Sequence, residues 1–338
     1  MTVRVGINGF GRIGRNFLRA VLVAGADVEV VGVNDLTSPE TLAHLLRYDS
    51  TQGRLAVPVD VEGSDLLVGD RHIRVLAERE PSQLPWTELG AEVVIESTGL
   101  FTSRAKAAEH LGETVKRVII SAPSGDADAT FVIGVNDGDY DPEKHFVVSN
   151  ASCTTNCFVP MVKVIDDAFD IASGLMTTVH AYTNDQNLLD LTHKDLRRAR
   201  AAATNIVPST TGAARATGLV LQAMKGRLDG TSLRVPVPAG SITDFTAVVK
   251  GNPSVQEVNG AFAEAAAKPP LDKVLEYTEE PIVSSDIVGS PASCTFDAPL
   301  TMVMPVNDEL SLVKTNGWYD NEWGYSNRIV DLTLLVGS

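Results

Sequence analysis

Five short apolar runs divide the first 150 residues, and polar segments separate them. The runs are Val3 to Ile7, Val28 to Val33, Glu92 to Gly99, Arg117 to Ser121 and His145 to Val148. Short runs that stay apolar without alternating are typical of strands buried on both faces of a parallel sheet. Helical spacing of Ile13, Phe17 and Val21 after the first run predicts a crossover helix. We therefore expect a parallel α/β domain over residues 1–151.

Shorter elements are predicted within this domain. Three runs separated by turns predict antiparallel strands: Val57 to Val61, Leu66 to Val68 and Arg71 to Leu76. Ser38 before Pro39 predicts a helix that continues to about Tyr48, because serine caps helices and proline suits the first helical position. A further connecting helix is predicted from Ser103 to Leu111.

The pattern changes at about Ser152, after which longer runs alternate apolar and polar residues. These runs are Leu175 to Tyr182, Ile242 to Lys250, Leu300 to Met304 and Leu310 to Thr315, and a helix is predicted from Val255 to about Ala267. Alternation is typical of strands with one exposed face. We expect an α+β second domain with a mainly antiparallel sheet over residues 152–317.

Composition narrows the classes of function. The 338 residues include 28 Lys plus Arg against 43 Asp plus Glu, so the net charge of −15 argues against general nucleic-acid binding and against an anionic membrane surface. Three cysteines without a Cys-x-x-Cys pair favour a reducing compartment. No apolar run approaches the roughly 18 residues of a membrane span. We expect a cytoplasmic protein.

A glycine-rich turn follows the first predicted strand. Gly9 to Gly14 matches G-x-G-x-x-G, and Asp35 follows the second strand about twenty residues later. In a Rossmann-type domain the glycines let the backbone approach a pyrophosphate at a helix N-terminus, and the acid binds the adenosine ribose. The acid would also repel a 2′-phosphate, so the pattern indicates NAD.

Ser149 to Cys157 is a small polar run between a predicted strand and a helix-period segment. Cys153 is placed at the predicted helix start, capped by Ser152 or Asn150, where a lowered thiol pKa would make it a nucleophile. Pro160 predicts a kink in this helix. A lone cysteine is as readily a small buried hydrophobe, which is our interpretation of Cys157.

His180 is the best candidate for a base, although a histidine on an alternating strand is also a common core residue. The other histidines, at positions 44, 72, 110, 145 and 193, have no second metal-type ligand at useful spacing, so no metal site is expected. Lys194, Arg197, Arg198 and Arg200 form a positive cluster in the polar segment from Thr183 to Val207, which is a solvated loop or a functional one.

Five motifs together resemble phosphorylating glyceraldehyde-3-phosphate dehydrogenase of the glycolytic, bacterial type. They are Gly6 to Gly14, Ser149 to Cys157, Thr177 to Gln186, His193 to Arg200 and Trp318 to Ser326. The resemblance implies that Cys153 attacks the aldehyde, that His180 raises its thiolate content and takes the hydroxyl proton, and that an acyl-thioester passes to inorganic phosphate. It implies a homotetramer with the segment from Thr183 to Val207 at a subunit interface, and a C-terminal segment, 318–338, that packs back on the NAD-binding domain.

The resemblance also implies the ligand-binding residues. The cofactor set is Gly9, Gly11, Arg12, Ile13, Gly14, Asp35, Arg79, Thr98, Ser121, Asn321 and Tyr325, and the substrate and phosphate set is Ser152, Thr154, Thr183, Arg198, Thr211, Gly212 and Arg234. Thr192, Asn187 and Ser209 depart from the family pattern, and Thr192 could ease NADP entry. Three alternatives stay open: an erythrose-4-phosphate dehydrogenase, an isoform with altered sensitivity to thiol-reactive inhibitors, and a non-catalytic NAD-binding interaction protein.

Overall fold

The structure is a computed structural model that describes residues 2–338. The chain forms two compact units. The first contains the residues up to Ser152 together with Ser326–Ser338, and the second is Cys153–Tyr325. No helix among residues 2–338 combines the length and the apolar character needed to cross a membrane.

The first unit is built on a sheet of nine strands. Its strands and helices are β1 (Val3–Asn8), α1 (Arg12–Ala24), β2 (Val28–Asn34), α2 (Pro39–Arg47), β3 (Tyr48–Asp49), β4 (Gly53–Arg54), β5 (Val59–Glu62), β6 (Asp65–Val68), β7 (Arg71–Leu76), β8 (Val93–Glu96), α3 (Arg104–Ala107), β9 (Arg117–Ile120), β10 (Ala129–Thr130) and β11 (Val147–Ser149). The strand order is β10-β11-β9-β8-β1-β2-β7-β6-β5, and β3 pairs with β4. Neighbours from β10 to β7 are parallel, whereas β5, β6 and β7 are antiparallel. The predicted parallel sheet and the three predicted antiparallel strands are both confirmed.

Local sequence explains the ends of the predicted helices. Ser38 precedes α2 and its Oγ accepts a hydrogen bond from the Thr41 backbone N–H at 3.3 Å, as the capping pattern predicts. The helix predicted to reach Leu111 is shorter than expected: α3 ends at Ala107 and continues as a 3-10 turn over Ala108–His110. The turn leaves His110 buried.

The second unit contains a sheet of eight strands. Its strands and helices are α4 (Cys153–Phe169), β12 (Ile171–Ala181), β13 (Val207–Thr210), α5 (Ala213–Val220), β14 (Leu228–Val235), β15 (Ser241–Lys250), α6 (Val255–Ala266), β16 (Leu275–Thr278), α7 (Ser284–Ile287), β17 (Cys294–Asp297), β18 (Met302–Pro305) and β19 (Leu310–Tyr319). A last helix, α8 (Trp323–Val336), begins in this unit and continues into Ser326–Ser338 of the first.

The eight strands follow the order β13-β14-β12-β15-β19-β17-β16, with β18 beside β19. Only β12 with β14 and β16 with β17 are parallel, so the predicted, mainly antiparallel sheet is confirmed. The sequence did not predict β13, β14, β16 or β17. Pro208 interrupts the pattern of β13, and Gly230 interrupts that of β14.

Helix α4 supplies much of the apolar packing of the second unit. Pro160 lies inside the helix, which is continuous over its 17 residues. Cys157 is fully buried, which confirms its interpretation as a packed residue. Phe158 packs edge to face against Phe245 of β15, with ring centroids 4.8 Å apart. This packing fixes the start of the helix, where Cys153 lies, on the sheet.

Candidate active site

Cys153 is the first residue of α4 and lies beside His180 on β12. Its Sγ is 3.4 Å from Nε2 of His180. The parallel register of β12 and β14 places Arg234 directly opposite His180. Cys153 as a whole residue is partly exposed, whereas His180 is only 3% exposed. The arrangement brings a thiol, an imidazole and a guanidinium into contact.

The second ring nitrogen of His180 has two competing neighbours. Nδ1 lies 2.7 Å from the Ala181 carbonyl oxygen, an acceptor, and 2.8 Å from Arg234 Nη1, a donor. It makes one of these hydrogen bonds at a time, because a neutral imidazole nitrogen either carries a proton or accepts one. When Nδ1 donates to Ala181, the Nε2 lone pair is directed at the thiol, which is the form that a base requires.

Burial and charge decide the ionisation of this pair. Burial raises the pKa of the Cys153 thiol, against smaller lowering contributions from the charge of Arg234 and hydrogen bonds of Thr154. Burial and the charge of Arg234 lower the pKa of His180 to about 3. A neutral thiol beside a neutral imidazole is therefore the resting form. The lowered thiol pKa that the helix start predicts is wrong for this structure, because desolvation outweighs the favourable charges.

Three of the predicted phosphate ligands lie around one carboxylate. Arg234 Nη1 donates to Thr183 Oγ1 at 3.1 Å, Thr183 Oγ1 donates to Asp185, and Arg198 Nη1 donates to Asp185 Oδ2 at 2.5 Å. Although burial opposes it, the Thr183 hydrogen bond and the charges of Arg234 and Arg198 lower the pKa of Asp185. Sequence reasoning missed Asp185, whose only signal was its place two residues after Thr183.

The other predicted phosphate ligands divide into separate places. Thr154, in the first turn of α4, is buried and its Oγ1 lies 2.9 Å from the Tyr319 hydroxyl. Thr211 Oγ1 accepts from the Ala213 backbone N–H at 3.2 Å, and Gly212 is the N-cap of α5. Ser152 immediately precedes α4 and is assigned to the first unit.

Tyr319 at the end of β19 is a second residue that sequence reasoning missed. Its hydroxyl lies 2.7 Å from Thr178 Oγ1 as well as 2.9 Å from Thr154 Oγ1, and its ring meets His180 edge to face at 5.9 Å. Burial raises the pKa of Tyr319, and a thiolate at Cys153 would raise it further, so Tyr319 stays a neutral phenol. Tyr319 therefore ties the first turn of α4 to the strand that carries His180.

A separate crevice of about 330 Å³ lies in the first unit, at the carboxyl ends of β1, β2 and β8. It is lined by Asn8, Gly9, Gly11, Asn34, Asp35, Leu36, Glu78, Arg79, Ser97, Thr98, Leu100 and Phe101. Asp35 accepts from the Phe10 backbone N–H at 3.1 Å. The structure thus gathers five predicted cofactor residues: Gly9, Gly11, Asp35, Arg79 and Thr98.

Geometry requires glycine at two positions of the turn at this crevice, Gly9 and Gly14. Gly9 has a φ of +93°, and a Cβ there would lie 2.7 Å from the Thr98 backbone nitrogen. A Cβ on Gly14 would lie 2.3 Å from the Gly9 carbonyl oxygen, whereas Gly11 faces open space and caps α1 without a side chain. A bare backbone at a helix start suits a pyrophosphate, and an acid at its edge suits an unsubstituted ribose. These residues fit NAD.

The remaining cofactor candidates lie elsewhere. The Arg12 guanidinium binds Asp49 at 2.6 Å, Ile13 follows it in α1, and the Ser121 backbone N–H donates to the Glu96 carbonyl at 2.9 Å. In the second unit, Asn321 accepts from Ser241 Oγ at 3.2 Å, and Tyr325 is buried. Residues 2–338 hold no group of three or more His, Cys, Asp and Glu side chains suited to a metal.

Comparison with known proteins gives a consistent result. The sequence-family model of the glyceraldehyde 3-phosphate dehydrogenase NAD binding domain matches residues 3–104. The family model of the C-terminal domain matches residues 152–321. Relatives include glyceraldehyde-3-phosphate dehydrogenase 2 of Streptomyces avermitilis and glyceraldehyde-3-phosphate dehydrogenase of Streptomyces coelicolor, each 59% identical over 338 residues. Glyceraldehyde-3-phosphate dehydrogenase of Mycobacterium bovis is 59% identical over 343 aligned residues. Each alignment covers 100% of this chain and 99% of the relative. The chain belongs to the glyceraldehyde-3-phosphate dehydrogenase family, whose members are NAD-dependent oxidoreductases.

Proposed function

We propose that this protein oxidises D-glyceraldehyde 3-phosphate with NAD and inorganic phosphate to 1,3-bisphosphoglycerate, and that Cys153 carries the acyl group. The names of its relatives support the substrate. The observation that carries the mechanism is the 3.4 Å contact between Cys153 Sγ and His180 Nε2, with Arg234 beside the same imidazole. A nucleophile next to a base with an anion-binding cation is suited to covalent catalysis on a phosphorylated aldehyde.

In the first step, Cys153 Sγ attacks the aldehyde carbon and forms a thiohemiacetal. His180 Nε2 accepts the thiol proton as the carbon–sulfur bond forms, because both groups are neutral before the reaction. The proton then on Nε2 can pass to the new alkoxide oxygen, and the same nitrogen removes it when the thiohemiacetal is oxidised. The first-turn backbone N–H groups of α4 favour developing negative charge at that oxygen.

The chemistry that NAD supplies when bound is hydride acceptance, which converts the thiohemiacetal into a thioester. Asp35, Arg79, Thr98 and the glycines would hold its adenosine and pyrophosphate in the crevice of the first unit. Arg12, Ile13, Ser121, Asn321 and Tyr325 remain proposed cofactor ligands. A phosphate oxygen then attacks the thioester carbonyl carbon, and the carbon–sulfur bond breaks to release Cys153 as thiolate.

Two phosphate groups need cations and hydroxyl donors. We propose that Thr183, Arg198 and Arg234 bind one of them, and that Ser152, Thr154, Thr211 and Gly212 bind the other. Arg234 donates to Thr183 and contacts His180, so a phosphate bound there would offset the positive charge that disfavours protonation of His180. Substrate binding would thereby help His180 accept a proton.

We further propose that the protein is a cytoplasmic homotetramer. Most of the segment from Thr183 to Val207, residues 183–206, precedes β13 and contains no helix or strand. Leu188, Leu189, Leu191 and Leu196 in it are each 65% exposed or more. Apolar side chains gathered on one segment are typical of a surface covered by another chain. Sedimentation analysis at micromolar concentration would reveal a monomer if this proposal is wrong.

The decisive assay follows NAD reduction with glyceraldehyde 3-phosphate, with and without inorganic phosphate, in wild type and Cys153→Ser. We expect turnover that depends on phosphate and is lost in the serine variant, since a serine hydroxyl is a far weaker nucleophile and gives no thioester. Cys157→Ser is the matched control, because Cys157 lies on the same helix and is fully buried. Turnover that is indifferent to phosphate, or that survives Cys153→Ser, would contradict the mechanism.

A further inference from the structure

A buried network of polar side chains lies below the crevice of the first unit. At its centre the Glu96 carboxylate, at the end of β8, accepts from Asn8 Nδ2 at 2.6 Å, His110 Nε2 at 3.0 Å and the Thr98 backbone N–H at 2.9 Å. The Thr98 hydroxyl also donates to it. The side chains of Glu96 and His110 are 1% and 0% exposed. One buried carboxylate is thus satisfied by four donors.

The tautomer of His110 follows from its neighbours. The Trp86 indole N–H, which is only a donor, contacts Nδ1 of His110 at 3.1 Å. Nδ1 therefore carries the lone pair, and the proton lies on Nε2, directed at Glu96. The 3.3 Å contact between Asn8 Nδ2 and Nε2 then joins two donors, so the Asn8 hydrogen bond goes to Glu96. Every polar atom in the group has a single consistent role.

The chain of hydrogen bonds continues from Asn8 to the crevice wall, with the donor and acceptor of each bond fixed by the one before. Because Glu96 takes the amide N–H₂ of Asn8, the Asn8 carbonyl oxygen is left to accept from Asn34 Nδ2 at 2.7 Å. Asn34 in turn donates to the Glu78 carbonyl at 2.8 Å and accepts from the Glu78 backbone N–H at 2.8 Å. Glu78 precedes Arg79 in the crevice wall. The Glu96 carboxylate is thus linked through Asn8 and Asn34 to the loop after β7, three strands away in the sheet.

We propose that Glu96 and His110 are positioning residues for NAD: together they orient Asn8, Asn34 and Thr98 so that the three strand ends present a preformed crevice. In the described part of the chain, neither side chain is among those that line this crevice, so both act through residues that do. The proposal rests on the assignment of the crevice to the adenosine and pyrophosphate of NAD.

Glu96→Gln tests this proposal with almost no change in volume. An amide offers one oxygen and two N–H donors, so it faces either Thr98 or the Asn8 and His110 pair with a donor opposite a donor. We expect the dissociation constants for NAD and for ADP-ribose, measured by calorimetry, to rise about tenfold. The KM for NAD should rise in parallel, while kcat at saturating NAD and the KM for the aldehyde stay within about twofold.

Glu92→Gln is the matched control, because Glu92 directly precedes β8 and its carboxylate accepts a hydrogen bond from the Arg4 backbone N–H at 3.0 Å, outside the buried network. It should leave both dissociation constants unchanged. If Glu96→Gln does not fold, Trp86→Phe is measured instead: it keeps an aromatic side chain beside Gly6 but replaces the indole by a smaller phenyl ring, so His110 Nδ1 loses its donor. Both dissociation constants should then rise about threefold.

These measurements distinguish a failure of the positioning role of Glu96 from a failure of the assignment of the crevice to NAD. A merely structural role would lower the melting temperature of Glu96→Gln and leave the NAD affinity of the folded protein unchanged, and that result would overturn the proposal. If Trp86→Phe is the variant measured, an unchanged affinity for NAD would likewise overturn the proposal. A wild-type protein that fails to bind ADP-ribose would instead overturn the assignment of the crevice.

Discussion

The two units each bury one histidine in contact with charged or polar partners, and the two sites differ in how far those partners fix the ring. His110 has a donor at Nδ1, the Trp86 indole, and a carboxylate acceptor at Nε2, Glu96. His180 has both a donor and an acceptor at Nδ1, Arg234 and Ala181, and a thiol at Nε2. One tautomer satisfies His110, whereas two are available to His180.

This difference separates a ring that holds geometry from one that moves protons. A histidine whose two nitrogens are both committed keeps its neighbours in place, because any change of protonation sets two donors or two acceptors opposite each other. His180 can exchange its Nδ1 partner between Ala181 and Arg234 at little cost. Its Nε2 faces the partly exposed Cys153, so a proton can arrive there and leave during turnover.

The largest expected effect comes from His180→Asn, which removes the ring that moves protons. We expect kcat to fall about 10²-fold to 10⁴-fold, as for loss of a general acid–base group, while NAD affinity is unchanged. Glu96→Gln should do the opposite: NAD affinity should fall about tenfold while kcat at saturating NAD is kept. Steady-state kinetics measure both. His44→Asn, on the exposed face of α2, is the control, and a kcat within tenfold of wild type for His180→Asn would remove the contrast.

The role of His180 is predictable from the sequence and the role of His110 is not, for a physical reason. Cys153 and His180 follow local patterns, a thiol at a helix start and a histidine on an alternating strand. The pairing of His110 with Trp86 and Glu96 depends on a 3-10 turn and on partners 24 and 14 residues earlier in the chain, and no helical or strand periodicity encodes those separations. His110 therefore looked ordinary in the sequence.

The same limit applies to the active-site cation and carboxylate. Arg234 lies 54 residues from His180, and only the parallel register of β12 and β14 brings them together. The resemblance supplied Arg234, but neither Asp185 nor Tyr319. The sheet classes, the glycine turn and the capped helix were predictable because each depends on periodicity or on a few adjacent residues. Side-chain partners across strands were not.

The second prediction removes the charge that gives His180 its alternative partner. Arg234→Met should raise the KM for glyceraldehyde 3-phosphate about tenfold to a hundredfold, since hydrogen bonds to a charged group contribute about 1.5–3 kcal/mol. Arg215→Met is the control, because Arg215 pairs with Asp229 in an exposed ion pair that contributes little. Initial rates over a range of aldehyde concentrations give the KM of each variant. An unchanged KM would exclude Arg234 from substrate binding.

The third prediction uses pH to compare the folded and unfolded forms of His180. The pKa of His180 is about 3 in the folded protein and 6.5 as a free side chain, so the unfolded chain binds more protons between these values. Stability should therefore fall as pH drops below 6.5, by about 2 kcal/mol at pH 5 from this group alone. His180→Asn lacks that contribution, so its unfolding free energy should fall less between pH 7.5 and pH 5. Chemical unfolding at equal protein concentration measures this, and identical losses in the two proteins would contradict it.

The smallest expected effect comes from Tyr319→Phe, which leaves the ring against His180 and removes only the hydroxyl between Thr154 and Thr178. Both threonines are buried, so each loses a partner that water cannot easily replace. We expect the free energy of unfolding to fall by about 1–2 kcal/mol and kcat to fall less than tenfold, because Tyr319 holds α4 against β12 and donates nothing to the reaction. Tyr277→Phe, whose hydroxyl donates to the exposed Glu279, should change stability by no more than about 0.5 kcal/mol. If Tyr319→Phe lowered kcat as far as His180→Asn does, the phenol would be a proton carrier in its own right, and the second unit would contain two such groups where the present geometry supports one.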